Sequence, residues 1–331
     1  MAWSSIVGQE IPKRLLRMHL ATGRVTPAYL LAGPEGVGKR RLALELAKAL
    51  NCAAEHERPC DACSVCRQID RHVHPDVHAL APTGASAQIK IDDVRHVLSR
   101  VAMRPFIART HVVVIERADR LTQEAANSLL KTLEEPTVST RFALTTTQVE
   151  DCLTTIVSRC QLIRCQPLPA STLQELLVQT QHLEVSQAEA IARLAHGSAA
   201  HAVMLAAHWA DYQRLIAQFA HATPAAWLAA ALPQTPEELL RLLDVMMVWL
   251  RDVAVTAAHH GQGVRLTNHT RALHQQAHAI DLDHCVEAAF ELVALRESVE
   301  QFVSPRLVAS LARERWLSLM ETRSWKLEAG V

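Results

Sequence analysis

Residues 28–50 read AYLLAGPEGVGKRRLALELAKAL. The first five of them form a short apolar run, which is typical of a buried strand. From Arg41 to Asn51 the leucines recur every fourth residue, at Leu42, Leu46 and Leu50, which predicts a helix with one buried face. The segment therefore predicts a strand, a glycine-rich loop and a helix, in that order.

The loop between this strand and this helix reads GPEGVGK and has the spacing G-x-x-x-x-G-K, with glycines at Gly33, Gly36 and Gly38. At that spacing the glycines let backbone N–H groups converge on phosphate oxygens at a helix N-terminus, where the helix dipole favours anions. Lys39 would then reach the β- and γ-phosphates of a nucleotide. A glycine-rich turn with an unrelated lysine is the alternative, and the strand–loop–helix order favours the phosphate site.

Two positions that nucleotide hydrolysis requires are altered. A Ser or Thr after the loop lysine would supply a hydroxyl to Mg²⁺, but this chain has Arg40 there. A strand ending in Asp-Glu would supply one carboxylate to the metal and a second as the base for water, whereas residues 111–117 read HVVVIER. Glu116 can replace the first carboxylate in part, but Arg117 cannot accept a proton. The sequence thus predicts the fold of an ATPase with poor or no hydrolysis and without a Mg²⁺ site.

Strand-like and helix-like segments alternate through residues 1–166, which predicts a mostly parallel sheet covered by helices. Further strands are predicted at Asp76–Leu80, His111–Ile115, Phe142–Thr146 and Gln161–Arg164, and helices at Ile91–Val101 and from a cap at Thr122 to a stop at Pro136. Beyond Pro167 the sequence shows only helical periodicity. We therefore predict three domains: an α/β nucleotide-binding-type domain at 1–166, a small helical lid at 167–207 and an all-helical domain at 208–331.

The charge balance limits what the chain does by itself. Its 331 residues carry 34 Lys+Arg and 34 Asp+Glu, so the formal net charge is zero. Strong DNA binding by a single chain usually needs a basic excess, because affinity comes largely from neutralised phosphates. Apolar stretches fall short of the ~20 residues of a membrane span, and the N-terminus lacks the pattern of a signal peptide. These features predict a cytoplasmic protein with no membrane partner.

Four of the eight cysteines cluster in the sequence, at Cys52, Cys60, Cys63 and Cys66. The spacing C-x7-C-x2-C-x2-C suits four thiolates around a structural Zn²⁺ with no open coordination position. We predict an inserted zinc module at about residues 52–66, with Asp61 as a solvated neighbour. A redox C-x-x-C pair or free thiols are the alternatives.

Several motifs resemble those of the AAA+ clamp-loader family of the bacterial DNA polymerase III holoenzyme. Val7-Gly8-Gln9 resembles the family's adenine-side motif, and residues 129–136, LLKTLEEP, resemble its central stretch. Ser158-Arg159-Cys160 matches the Ser-Arg-Cys motif, and Thr146 falls at the first sensor position. His201 stands where the family's second sensor has an arginine. Thr146 is either a relic of the ancestral sensor or an ordinary strand threonine.

The resemblance implies a subunit of the ring-shaped complex that opens the sliding clamp and places it on primed DNA, within a DNA-directed DNA polymerase. Motor subunits of the family bind ATP, whereas stator-type subunits lend the arginine of Ser-Arg-Cys, here Arg159, to a neighbour's ATP site. An arginine offered in trans stabilises charge on the transferred γ-phosphoryl group. The implied partners are other clamp-loader subunits, the sliding clamp and, through the complex, primer-template DNA. The three predicted domains would be an AAA+ P-loop domain, a lid and a collar domain.

Two other functions stay open at this point. An active ATPase motor subunit of the same complex would need the Mg²⁺ ligand and the catalytic carboxylate that Arg40 and Arg117 replace. A helicase-type or repair-type AAA+ protein would also need an intact ATP site in this chain. Nucleotide binding is left open as well, because Lys39 and the glycines favour it while Arg40 opposes Mg²⁺.

Overall fold

The computed structural model describes residue 3 and residues 6–55, 57–83, 87–135, 137, 139–221, 223–259, 263–299 and 304–321. The chain forms two compact units. The first comprises Met1–Leu176 with His196–His201, and the second comprises Leu177–Ala195 with Ala202–Val331. The boundaries of the three predicted domains remain a prediction.

A five-stranded parallel sheet forms the centre of the first unit. Its strands are β1 (Ala28–Ala32), β2 (Val77–Leu80), β3 (His111–Ile115), β4 (Thr140–Thr146) and β5 (Gln161–Arg164), in the spatial order β2-β3-β4-β1-β5. All neighbouring pairs are parallel. Strands β1 and β3 are buried along their whole length, which explains their nearly uninterrupted apolar sequences. The predicted α/β class is confirmed.

Helices of the first unit pack against both faces of this sheet. They are α1 (Glu10–Ala21), α2 (Lys39–Asn51), α3 (Ser64–Asp70), α4 (Ile91–Val101), α5 (Gln123–Glu134) and α6 (Thr154–Val157). Successive residues of a strand point to opposite faces. Val112 of β3 therefore packs in one core with Leu42 of α2, whereas Val113 packs in the other with Val94 of α4.

The predicted bounds of these elements hold in most cases. Helix α4 and strands β3 and β5 have the predicted bounds. The hydroxyl of Thr122 caps α5 by accepting a hydrogen bond from the N–H of Ala125, and Pro136 lies outside the described residues. Helix α2 begins at Lys39, earlier than predicted, because Gly38 takes a left-handed conformation with φ 104° and provides the N-cap.

The carboxyl ends of the strands bring the predicted site residues to one edge of the sheet. Ala32, the last residue of β1, pairs with Thr146 of β4 and with Arg164 of β5. Ile115, the last residue of β3, pairs with Leu144 of β4. In open parallel sheets ligands bind beyond the carboxyl ends of the strands. The loop that starts at Gly33 and the residues that follow β3 therefore lie at the edge where a ligand is expected.

From residue 170 onward the described residues form helices and contain no strand. The helices are α7 (Ala170–Gln181), α8 (Val185–Leu194), α9 (Ala199–Ala207), α10 (Trp209–His221), α11 (Pro224–Ala229), α12 (Pro236–His259), α13 (Thr270–Ala279), α14 (Leu282–Val299) and α15 (Pro305–Glu321). Helices α7 and α9 contribute residues to both units. Within the described ranges, every helix is too short or too polar to cross a membrane.

An aromatic cluster forms the core of the second unit. The ring of Phe219 lies 4.6 Å from that of Trp227 and 4.8 Å from that of Trp316, measured between centroids. Trp249 joins the same cluster at 6.0 Å from Phe219. All four side chains are buried. Such tilted and edge-on contacts add to the stabilisation by burial alone, so these tryptophans are core residues of the unit.

Buried histidines at β2 make the first unit sensitive to acid. His78 is buried, and its ring lies 5.7 Å from that of His111. Burial, followed by the neighbouring charges of His111 and Arg100, lowers the pKa of His78 from 6.5 to about 4. As the pH falls, His78 therefore becomes protonated in the unfolded chain before it does so in the folded protein. We expect the free energy of unfolding to decrease from about pH 6.5 down to about pH 4, where the folded protein also becomes protonated.

In the variant His78→Phe, the decrease in the free energy of unfolding on acidification should be smaller by about 1–3 kcal/mol, because phenylalanine fills the core with an aromatic ring and cannot take up a proton. Urea unfolding at about pH 7.5 and about pH 4.5 measures the difference. His274→Gln, at an exposed position of α13, is the matched control and should behave as wild type. An equal loss of stability in wild type and His78→Phe would contradict the prediction.

Candidate functional site

The glycine-rich loop from Gly33 to Lys39 joins β1 to α2. Its first residue donates its N–H to the carbonyl oxygen of Thr146 at 3.2 Å, which ties the loop to β4. A Cβ atom at Gly33 would overlap the backbone carbonyl of Cys165, and one at Gly36 would overlap the hydroxyl of Ser198. Only glycine fits at these two positions. Phosphate binding by this loop stays a prediction.

Lys39 is the first residue of α2 and is 8% exposed. Its ammonium group donates hydrogen bonds to the carbonyl oxygens of Gly33 and Pro34, both at 2.6 Å. Burial lowers the pKa of Lys39. An ammonium group has three donors, so one remains for a phosphate oxygen while the other two hold the loop.

Arg40 and Glu116 form an ion pair in the same cleft as Lys39. The Nε atom of Arg40 donates to Oε1 of Glu116 at 2.5 Å. The guanidinium of Arg117, the next residue after Glu116, pairs with Asp119 at 3.1 Å. A guanidinium has no lone pair for a metal, and it repels a divalent cation. These residues therefore do not fit Mg²⁺.

These charged residues share one cleft of about 400 Å³ at the carboxyl edge of the sheet. Its lining includes Lys39, Arg40, Arg41, Glu116 and Arg117, together with the backbone of Gly36 and Gly38. The structure thus brings Gly36, Gly38 and Lys39 of the loop together with the two arginines that the sequence analysis identified as altered positions.

Three of the predicted nucleotide-site residues, Gly33, Thr146 and Val7, do not line this cleft. The hydroxyl of Thr146 is fully buried and donates to Asp119 at 3.2 Å and to the carbonyl oxygen of Gln148 at 2.7 Å. Val7 is half-buried and lies close in sequence to Gln9, whose side-chain amide donates to the carbonyl oxygens of Val37 and Gln166. Gln9 therefore ties the N-terminal segment to the phosphate loop.

Arg159 lies just before β5, and its side chain is 32% exposed. Its guanidinium donates to a carboxylate oxygen of Glu134 at the end of α5, with an Nε–Oε1 distance of 2.8 Å. The Nη1 atom of Arg159 donates to the carbonyl oxygen of Thr155 at 2.9 Å. The arginine is thus held by contacts within the chain, and its side chain is partly exposed.

The four predicted zinc ligands meet at one point. The Sγ atoms of Cys52, Cys60, Cys63 and Cys66 all lie within 4.8 Å of one another. Tetrahedral Zn²⁺ with Zn–S bonds of about 2.3 Å requires sulfur–sulfur distances of roughly 3.8 Å, which is compatible with this limit. Sulfur atoms also accept backbone N–H groups at 3.4 Å, including Cys66 N to Cys63 Sγ. The donor set and its geometry fit Zn²⁺.

Local structure explains how the cysteines converge. Cys52 is the C-cap of α2, and Cys63 is the N-cap of α3, where its sulfur accepts the N–H of Cys66. Burial tends to raise the pKa of Cys63, but bonds from backbone N–H groups outweigh it and lower that pKa to about 6. A thiol that ionises this readily favours the thiolate form that a metal binds.

A buried ion network beside the cysteines was missed by sequence reasoning. Lys48 of α2 is 1% exposed, and its ammonium group lies 2.6 Å from Glu45, 2.5 Å from Asp61 and 3.1 Å from Asp70. Burial alone would lower the pKa of Lys48, but the bonds to Asp61 and Glu45 outweigh it and raise the pKa. The prediction that Asp61 is merely a solvated neighbour was wrong, because its carboxylate compensates a buried charge. The network links the cysteine loop to the helix that follows the phosphate loop.

The first half of the chain is similar to known proteins. A family model described as DNA polymerase III, delta subunit, matches residues 8–169. Subunit delta' of DNA polymerase III from Bacillus subtilis is 36% identical over 166 residues, which cover 50% of this chain and 50% of that protein. The first half of the chain is therefore similar to DNA polymerase III clamp-loader subunits.

The chain is similar to more than one kind of clamp-loader subunit. Subunit tau of DNA polymerase III from Escherichia coli is 34% identical over 209 residues, which cover 61% of this chain and 32% of that protein. The chain thus spans half or less of the length of these two curated relatives. A solved structure of a gamma-subunit-related protein from Thermotoga maritima has a TM-score of 0.43 at 18% identity and covers 91% of this chain and 99% of that one.

Proposed function

We propose that this chain is a non-hydrolysing, stator-like subunit of the clamp loader, of the delta-prime type, which helps to place the sliding clamp on primed DNA. The observation that carries this proposal is the ion pair of Arg40 with Glu116. Arg40 stands in place of the Ser or Thr that would bind Mg²⁺, and it engages the carboxylate of Glu116, the other group that could do so. Arg117 stands where the base for the attacking water would be. The alternatives of a motor subunit and of a helicase-type protein both require these groups in this chain.

Arg159 is the residue that we assign to a neighbouring subunit's ATP site. Its guanidinium is partly exposed and is presented by the short turn between α6 and β5. A guanidinium aimed at the γ-phosphate from another subunit stabilises the charge that develops during phosphoryl transfer. In the isolated chain Glu134 binds the guanidinium of Arg159. For that guanidinium to contact a phosphate of another subunit, it must first leave the carboxylate of Glu134.

Exposed apolar surfaces support a role within a larger assembly. On α14, Val286, Phe290 and Val293 recur at helical spacing and are 46%, 72% and 46% exposed. In the first unit, Phe106 is 84% exposed on a loop whose N–H groups are held by the buried carboxylate of Asp76. Apolar side chains presented in this way mark protein contacts. The other clamp-loader subunits and the sliding clamp are the partners we propose for them.

The purified chain should show no ATP turnover above background, because the ion pair of Arg40 with Glu116 excludes Mg²⁺ and no carboxylate activates water. Release of inorganic phosphate by the chain alone, with and without primed DNA, measures this. Lys39→Ala serves as the control for contaminating activity. Turnover by the wild-type chain that disappears in Lys39→Ala would contradict the proposed function and favour a motor subunit.

A further inference from the structure

The second unit contains a cavity of about 540 Å³. It lies between helices α10, α12 and α15 and the segment of residues 230–234 that precedes α12. Part of its wall is apolar and includes Leu215, Trp227, Leu242 and Met246. The charged residues of its lining are Asp211, Arg214, Glu238, Arg241 and Arg313. A cavity of this size with an apolar wall and a few charged groups is typical of a site for an organic ligand.

Both carboxylates of the cavity already accept hydrogen bonds from the chain. Asp211 is paired with Arg214. Glu238 accepts the backbone N–H of Gln234 at 2.8 Å, at the start of α12. A ligand that enters the cavity therefore does not have to supply a donor to either carboxylate.

Two of the three arginines keep donors for a ligand. Arg241 is half-buried in α12, and it forms no hydrogen bond or ion pair with any residue that the structure describes. Arg313 uses its Nη1 atom alone among the described contacts, which are with the carbonyl oxygens of Trp227 at 3.4 Å, Leu228 at 3.3 Å and Ala230 at 3.1 Å. A charge that is partly withdrawn from water lacks compensation until it finds a partner. An anion in the cavity would supply that partner and accept charge-assisted hydrogen bonds.

The charge and shape of the lining favour a carboxylate over a phosphate. Three arginines and two carboxylates give the lining a net charge of +1. One carboxylate balances this charge, whereas a phosphate monoester would bring about −1.5 to −2 beside Asp211 and Glu238. A planar carboxylate also matches the fork of a guanidinium. The apolar wall is suited to the rest of the ligand.

We propose that this cavity binds an organic acid whose single carboxylate pairs with Arg241 and whose apolar group packs against Trp227 and Leu242. Arg313 supplies further donors to the same carboxylate. A small aliphatic acid has this chemistry, and so does a peptide that ends in an apolar residue. The proposal goes beyond the proposed function, because the cavity is built by the second unit alone and uses no residue of the phosphate loop. Its failure would therefore leave the proposed function standing.

Calorimetric titration of the full chain with decanoate, and with decanol as the uncharged control of equal length, tests the need for a carboxylate. We expect saturable binding of decanoate with a dissociation constant of about 10–100 μM, a usual value for a ligand of this size. Decanol should bind at least about tenfold more weakly, because it cannot pair with a guanidinium.

A short peptide distinguishes the two sources of the acid. The probe is an acetylated peptide of three alanines and a C-terminal leucine, used as the free acid and as the amide. Tighter binding of the peptide acid than of decanoate, with loss of binding in the amide, assigns the cavity to a chain terminus. Tighter binding of decanoate assigns it to a small aliphatic acid.

Arg241→Gln should weaken binding of the preferred acid by about 10- to 100-fold, the value of a hydrogen bond to a charged group. Arg271→Gln, at an exposed position of α13 outside the lining, is the matched control, and thermal unfolding checks that both variants fold. Fluorine NMR of the chain labelled with fluorotryptophan locates the site. The signal of Trp227, assigned with Trp227→Phe, should shift as the acid binds.

Four results would each overturn the inference. They are absence of saturable binding by both acids, binding of decanol within about threefold of decanoate, unchanged binding in Arg241→Gln, and a Trp227 signal that does not move at saturation. The last result would place the acid on another apolar surface, such as the one that carries Phe290 on α14.

Discussion

Arg159→Ala should reduce ATP hydrolysis about 1,000-fold at the one site of the assembled clamp loader to which we propose that Arg159 contributes, because a trans-acting arginine contributes at least this much to phosphoryl transfer. The chain would still fold, since the side chain is partly exposed and its contacts are with Glu134 and Thr155 at the surface. Single-turnover ATP hydrolysis by the complex with primed DNA measures the effect, which should appear as the loss of the fast phosphate release from one ATP site. Gel filtration of the complex checks that assembly survives.

Glu134 provides a control that separates a structural role from a role in trans. Glu134→Ala breaks the same ion pair from the other side but leaves the guanidinium available to a neighbour. If Arg159 acts in trans, Glu134→Ala should retain most of the rate that Arg159→Ala loses. Arg164→Ala, at an exposed position of β5, controls for a general loss of positive charge. Equal losses in Arg159→Ala and Glu134→Ala would assign the ion pair to stability alone and contradict the proposal.

The sheet and its site-bearing edge could be predicted from the sequence because their signals are local. The run HVVVI of β3 is almost wholly apolar, as a strand buried on both faces must be, and the loop glycines have a fixed spacing. Arg40 could be identified as a departure from the Ser or Thr expected after the loop lysine, and Arg117 as a departure from the acidic pair expected at the end of β3. That Arg40 bonds to Glu116 could not be predicted, because the two residues are far apart in sequence and meet only through the order of the strands.

The ion network of Lys48 shows why other parts of the site escaped prediction. A lysine on a helix usually extends to solvent, and nothing near Lys48 in sequence marks it as buried. Its burial is stabilised by Asp61 and Asp70, which come from the cysteine loop and from α3. The i,i+3 spacing of Glu45 and Lys48 was the only local signal. A charge that is compensated by two other segments is a tertiary property.

The division of the chain into two units has a similar physical basis. Sequence patterns place a boundary near residue 167, where strands give way to helices. In the structure, residues 196–201 belong to the first unit. The N–H of Ala199 donates to the carbonyl oxygen of Gly36 at 3.0 Å, and Ser198 occupies the space that a side chain at position 36 would need. The start of α9 contacts the glycine-rich loop, and it therefore belongs to the first unit although it follows the predicted boundary in sequence.

Removing zinc from the cysteine cluster should lower the midpoint of thermal unfolding by about 5–10 °C, which corresponds to about 2–3 kcal/mol for a unit of this size. Four thiols within 4.8 Å lose their shared cation, and the loop that carries Asp61 loses its anchor. Asp61 then no longer compensates Lys48, whose burial requires a partner. Differential scanning calorimetry before and after chelation measures the shift, and metal analysis gives the zinc content.

The double variant Cys60→Ser/Cys63→Ser supplies the matched control for that experiment. It removes the two more exposed ligands and keeps the buried pair, Cys52 and Cys66, so the packing of α2 against α3 is disturbed least. We expect it to unfold at the temperature of the chelated wild type and to show no further shift with chelator. Chelation that lowers the unfolding temperature of both proteins equally would place the metal elsewhere. Zinc well below one ion per chain, with the four thiols intact, would reject the site, because a closed site of four thiolates binds zinc tightly near neutral pH.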